Sequence, residues 1–164
     1  MSALRIDVSD LLVRAGARRP VQLTVPPEHL VVGAIRVDAP LALDLVLERV
    51  QEDIVVRGTI HAHWDGECSV CLREVAADVD VSVSDLFEPY PVEGETYLLE
   101  DHHIDLEQLV RDAVLLDLPL VPTCEALGLA PCAPDAELLG NDPDDEPADA
   151  LSDPRWAALS ELDL

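Results

Sequence analysis

An α+β fold that is mainly β is what three features of this 164-residue chain predict: an antiparallel meander sheet or partial barrel packed by one main helix, with short N-terminal and C-terminal helices. Apolar and polar residues alternate over several stretches, as half-buried strands require. Hydrophobic residues make up 49% of the chain but aromatics only 3%, so the core must be built from Val, Leu, Ile and Ala, which favours strands where the β-branched residues cluster. Helical periodicity over more than two turns falls in one place, near residues 105–117.

In chain order, Leu4, Ile6 and Val8 alternate with Arg5 and Asp7 in a first strand. Ser9 and Asp10 supply cap residues for a short helical turn through Leu11, Leu12 and Val13, which Gly16 ends. Val21, Leu23 and Val25 make a second strand, stopped by Pro26-Pro27, and residues 30–37 a third, broken by Pro40. Leu41, Leu43, Leu45 and Leu47 then recur at a strict period of two, with Asp44 and Glu48 on the other face. After the turn at Gln51-Glu52-Asp53, a long arm starting at Ile54 leads to Cys68-Ser69-Val70-Cys71, and Val75, Ala77, Val79, Val81 and Val83 alternate along the returning arm. Residues 57–87 therefore read as a β-hairpin with a paired-thiol knuckle at its tip, and 41–87 as a three-stranded antiparallel meander.

Residues 88–101 are rich in Pro, Gly and acid and read as a loop. Asp105 stands at an N-cap position with Gln108 three residues on, and Leu106, Leu109, Val110 and Ala113 form one apolar stripe that Pro119 terminates. His102 and His103, just upstream, read as solvated residues of a polar turn. One β-rich domain over residues 1–134 is expected. Residues 135–152 follow as an acidic flexible linker, because Asp142, Asp144, Asp145, Glu146 and Asp149 with their prolines offer too little apolar surface to offset chain entropy. A C-terminal docking helix over 153–164 begins at Asp153-Pro154 and carries Trp156 and Leu159 on one side, to dock on the body or a partner.

The formal net charge is -24, from 34 acids against 10 basic residues. All the basic residues are arginine; residues 1–73 hold eight of them against ten acids, and residues 74–164 hold two against twenty-four. Such a field repels phosphate backbones and attracts cationic proteins, and the scarcity of aromatics removes a stacking platform for bases. The one basic cluster, Arg14, Arg18 and Arg19 around Gly16, reads either as a phosphate or RNA contact or as a loop that balances nearby acids. Asp117 interrupts the longest apolar run, residues 113–121, well short of the roughly 18 residues of a membrane span. With no apolar signal region at the start, the expected location is the cytoplasm, where cysteines are thiols or metal ligands rather than disulfides.

Cys68 and Cys71 have the two-residue spacing that lets neighbouring thiolates share one ion, and Cys124 with Cys132 would complete a four-thiolate zinc site. A redox-active CxxC and plain thiols are the other readings. The flanks of the knuckle are strands, whereas a helix N-terminus is what commonly lowers a thiol pKa in redox motifs. No nucleophile elbow, P-loop or zinc-protease motif is present.

Four segments in order, IDVSDLLVRAG near the start, GTIHAHWDGECSVCLREVAADVDVSVSDLF in the middle, IDLEQLVRDAVLLDLPLVPTC after the loop and DPRWAALSEL at the end, resemble the YceD family, also known as DUF177 or large ribosomal RNA subunit accumulation proteins. The resemblance extends over almost the whole chain. It implies a factor needed for accumulation of large-subunit ribosomal RNA, with no established catalytic activity. It also implies further thiols after the helix, in a pattern like C-x-G-L-C-x2-C-G. Here Gly128-Leu129 remain, but Ala126 and Ala130 hold the flanking cysteine positions and Cys132 falls one place early.

The function expected on these grounds is that of a non-catalytic ribosome-biogenesis factor, which binds a basic ribosomal protein or a pre-large-subunit particle through its acidic surface. The alternatives are an rRNA-binding module that uses Arg14, Arg18 and Arg19, and a thiol or redox protein acting at Cys68 and Cys71. Trp156 is a further candidate partner contact.

Overall fold

A computed structural model describes residues 4–27 and 30–132; the linker and docking helix expected over 135–164, Trp156 among them, lie outside the described residues. Residues 1–131 form one compact unit. The fold is mainly β, a sheet curled into a half-barrel with few helices.

The sheet is organised by a long ribbon. β1 (Arg5–Asp7), β2 (Arg18–Val25), β3 (Val31–Val32), β4 (Ile35–Arg36), β5 (Leu41–Val50), β6 (Asp53–Glu67), β7 (Glu74–Glu88), β8 (Tyr97–Glu100) and β9 (His103–Asp105) are its strands. The helices are α1 (Ser9–Leu12) and α2 (Glu107–Asp117). β6 and β7, 15 residues each, pair antiparallel from Ile54↔Phe87 to Glu67↔Glu74. Their alternation holds along most of the ribbon. Ile54, Val56, Ile60, Ala62 and Trp64 are buried while His61 and His63 face solvent, and Val75, Val81, Val83 and Phe87 are buried opposite Asp78 and Asp80. β5 adds to the far edge of β6 with Leu41, Leu43, Leu45 and Leu47 all inward, and β2 adds to β5 through Arg18↔Glu48 to Val25↔Leu41. The meander expected over 41–87 is therefore present, extended by β2 on the outside.

Gly58 sets how closely β5 can approach β6. A Cβ on it would sit 2.1 Å from the Asp44 carbonyl oxygen and 2.8 Å from Leu45 Cα, and its φ of +155° is one that L side chains rarely adopt.

Several expectations are corrected. Residues 30–37 are not one strand but the small hairpin β3–β4, which folds back at Gly33 (φ +59°) and pairs Val32 with Ile35. Residues 88–101 are not all loop, because β8 pairs parallel with the end of β7 and antiparallel with β9. The β8–β9 turn is Asp101-His102, both at positive φ (48° and 61°), the backbone of a tight primed turn without its usual Asn-Gly sequence. Asp105 ends β9 rather than holding the N-cap position itself, yet its carboxylate accepts a hydrogen bond from the Glu107 amide at 3.0 Å and satisfies one of the open donors of α2.

Leu109, Val110 and Val114 are the buried face of α2, which packs on β6 and β7; Val114 takes the place that Ala113 was expected to fill. Phe87 stacks on Tyr97 with ring centroids 5.2 Å apart, joining the end of the ribbon to β8. No charged or polar residue is buried among those described. No helix among them is long and apolar enough to cross a membrane.

Candidate metal centre

The hairpin β6–β7 closes at Cys68, whose amide donates to the Arg73 carbonyl at 2.8 Å. Between them the chain makes one tight turn, in which the Leu72 amide donates to the Cys68 carbonyl at 2.9 Å and Leu72 lies at φ +57°. A second turn of similar build follows α2. There the Leu129 amide donates to the Cys124 carbonyl at 2.8 Å, Gly128 lies at φ +67°, and Thr123 Oγ1 accepts from the Ala126 amide at 3.2 Å. In each turn one left-handed residue reverses the chain four residues after a cysteine.

Ser69 joins the two turns. Its amide and its hydroxyl both donate to the Pro122 carbonyl, each at 2.9 Å. The consequence is that thiols 53 residues apart in the chain meet, with Cys71 Sγ 3.7 Å from Cys124 Sγ. The sulfurs of Cys68, Cys71, Cys124 and Cys132 all lie within 4.8 Å of one another. Cys68 and Cys124 are buried, Cys71 and Cys132 half-buried, and none is in a disulfide.

The donor set and its spacing fit a tetrahedral ion. With metal–sulfur bonds of about 2.3 Å, two thiolates on one zinc stand about 3.8 Å apart, close to the Cys71–Cys124 separation. Four protein sulfurs leave no open coordination position, so such a site holds structure together and does not activate a water.

The other residues singled out from the sequence are not part of this group. Arg18 pairs with Glu48 at 2.7 Å. Arg19 pairs with Asp10 at 2.7 Å and donates to the Asp7 carbonyl at 2.8 Å. Arg14 stands exposed in the turn after α1. Two of the three arginines thus already face acids. His102 is exposed in the β8–β9 turn, and His103 Nδ1 lies 2.7 Å from the Asp101 carbonyl.

On the outer face of the ribbon His61 Nδ1 lies 2.6 Å from Asp80 and His63 Nδ1 lies 2.7 Å from Asp78, in two exposed cross-strand pairs. The hydrogen bond to Asp80 raises the His61 pKa above its ordinary 6.5; desolvation opposes it, and the charges of Asp80 and Asp44 add to it. These pairs were not read from the sequence, although the signal is there: counting outward from Cys68 and Arg73 sets each histidine opposite its aspartate. A groove of about 480 Å³ beside β8, β9 and the start of α2 carries Arg5, Arg111 and His103 interleaved with Glu100, Asp105 and Glu107, with no nucleophile–base pair among them.

The fold and the thiol group together define a mainly β protein whose hairpin tip is clustered with thiols from beyond its helix. The chain belongs to the family described as large ribosomal RNA subunit accumulation protein YceD, whose model matches residues 56–163. It is similar to an uncharacterised protein of Mycobacterium leprae, 35% identical over 99% of this chain and 78% of the relative. Uncharacterised proteins of Mycobacterium bovis and Mycobacterium tuberculosis are 36% identical, over 98% of this chain and 82% of each relative. No solved structure matches it.

Proposed function

We propose that this protein is a non-catalytic, cytoplasmic ribosome-biogenesis factor that supports accumulation of large-subunit rRNA by binding a basic ribosomal protein or an assembling large-subunit particle. The observation that carries the reading is the match over residues 56–163 to a family described by its role in large ribosomal RNA subunit accumulation. The net charge of -24 supports a cationic protein as the partner, because complementary fields speed encounter and opposed ones exclude the phosphate backbone. The ion pairs of Arg18 and Arg19 weigh in the same direction, against a free basic face for rRNA.

In this reading Cys68, Cys71, Cys124 and Cys132 hold a structural zinc ion that pins the hairpin tip to the segment after α2. The closed set of four sulfurs supports a staple. The knuckle lies between two strands, which gives no helix N-terminus to activate a redox thiol.

The test is ribosome sedimentation in a strain lacking the gene. A depleted large-subunit peak, restored by the gene, together with wild-type protein in the pre-large-subunit fractions at low salt, is the expected result. A normal large-subunit peak in the deletion strain refutes the reading.

A further inference from the structure

Large apolar side chains stand uncovered around the two cysteine turns. Leu72 is 66% exposed, Val70 61%, Leu120 81% and Val121 66%, with Leu129 also exposed. Backbone bonds bring them to one end of the molecule: Val70 and Leu72 belong to the turn that Ser69 fastens to Pro122, Val121 precedes Pro122, and Leu129 is bonded to Cys124. These positions carry no burden in the core.

Leu72 is the more telling of them. A left-handed backbone is strained for a leucine, and glycine at φ +57° would remove both that strain and the exposed side chain. At 66% exposure the Leu72 side chain is given to solvent rather than to the core.

The rim of the patch is acidic. Across residues 67–74 and 115–132 Arg73 is the sole basic residue, against Glu67, Glu74, Asp117 and Glu125, all exposed. Glu67 and Glu74 are direct cross-strand partners, like charges set opposite one another, and the nearby Arg36, which lines the same hollow, is already paired with Asp38 and Asp65.

We propose that this patch is a docking surface for a cationic amphipathic segment of a protein partner, whose apolar face covers Val70, Leu72 and Val121 while its basic residues meet Glu67, Glu74 and Glu125. The inference rests on the ribosome-assembly reading above and names the surface that reading uses. RNA is disfavoured by the acidic rim, and a second copy of this chain would set acid against acid.

The experiment uses the full-length protein and a fluorescein-labelled helical peptide of leucine and lysine with one apolar and one cationic face, followed by anisotropy at near-physiological salt. Expected is binding that weakens about tenfold or more in Val70→Ser/Leu72→Asn, in Leu120→Ser/Val121→Ser and in Glu67→Gln/Glu74→Gln, none of them melting below the wild type. A scrambled leucine–lysine peptide without an apolar face should bind at least about tenfold less tightly. Equal affinity for the scrambled peptide, unaltered binding by the folded apolar variants, or displacement of the peptide by a single-stranded RNA oligonucleotide overturns the proposal. In the deletion strain, wild-type protein that restores the large subunit while Val70→Ser/Leu72→Asn fails to is the supporting result. Full restoration by that variant sinks the docking surface and leaves the assembly reading standing, whereas a deletion strain with normal large subunits sinks the assembly reading itself.

Discussion

Ser69 and Pro122 are joined by two hydrogen bonds to one oxygen: the serine amide and hydroxyl each donate to the proline carbonyl at 2.9 Å. This contact helps to hold the β6–β7 tip to the segment leaving α2. Ser69→Ala removes the hydroxyl bond and leaves the amide bond. The expected loss is about 1 kcal/mol, or roughly 3 °C in melting temperature. Ser69→Pro removes both donors and should cost clearly more; equal melting of the two variants refutes the contact.

The sulfur group makes a prediction about metal. Protein purified without chelators should contain about one zinc per chain by elemental analysis. Cys124→Ser should lower that content and bring the melting temperature down by roughly 10 °C, equivalent to about 3 kcal/mol in a domain of this size. Protein free of metal, and insensitive to a strong chelator on heating, contradicts the staple.

Gly58 should tolerate no side chain. Gly58→Ala forces a Cβ against the Asp44 carbonyl and Leu45 Cα, so β5 must part from β6. A loss of ~3 kcal/mol or more is expected in chemical denaturation, with faster amide exchange along β5. A loss no larger than that of an exposed surface substitution would falsify the close approach.

His61 gives a signed pH dependence. Its pKa in the folded chain lies above the ordinary 6.5, first through the hydrogen bond to Asp80. The stabilisation is fully present below pH 6.5, where the imidazole is protonated folded or unfolded, and is lost as pH rises through the folded pKa. Asp80→Asn should bring the His61 titration, followed by NMR, down toward 6.5. An unchanged midpoint in that variant means Asp80 is not the partner.

What the chain determines locally is the ribbon. A period of two in Leu41 to Leu47, in Ile60 to Trp64 and in Val75 to Val83 suffices to fix which face of β5, β6 and β7 is buried, because successive side chains of a strand must point to opposite sides. The position of Cys68 and Cys71 at the turn between two such arms then follows, and with it the cross-strand partners along the hairpin. The β8–β9 hairpin was hidden because its turn is Asp-His in a backbone that ordinarily announces itself by Asn-Gly. The pairing of β8 with β7 was hidden because it is parallel and joins segments across an acidic, Pro-rich connection with no periodic signal. The four cysteines could be named as one set from the sequence, but the path that brings them together belongs to the tertiary structure. Seven residues separate Cys124 from Cys132, more than the usual spacing of a thiolate pair, and only a chain reversed at Gly128 and fastened through Pro122 to Ser69 brings their sulfurs to those of the hairpin. Periodicity is a property of neighbours along the chain; the convergence of thiols 53 residues apart depends on the path of everything between them.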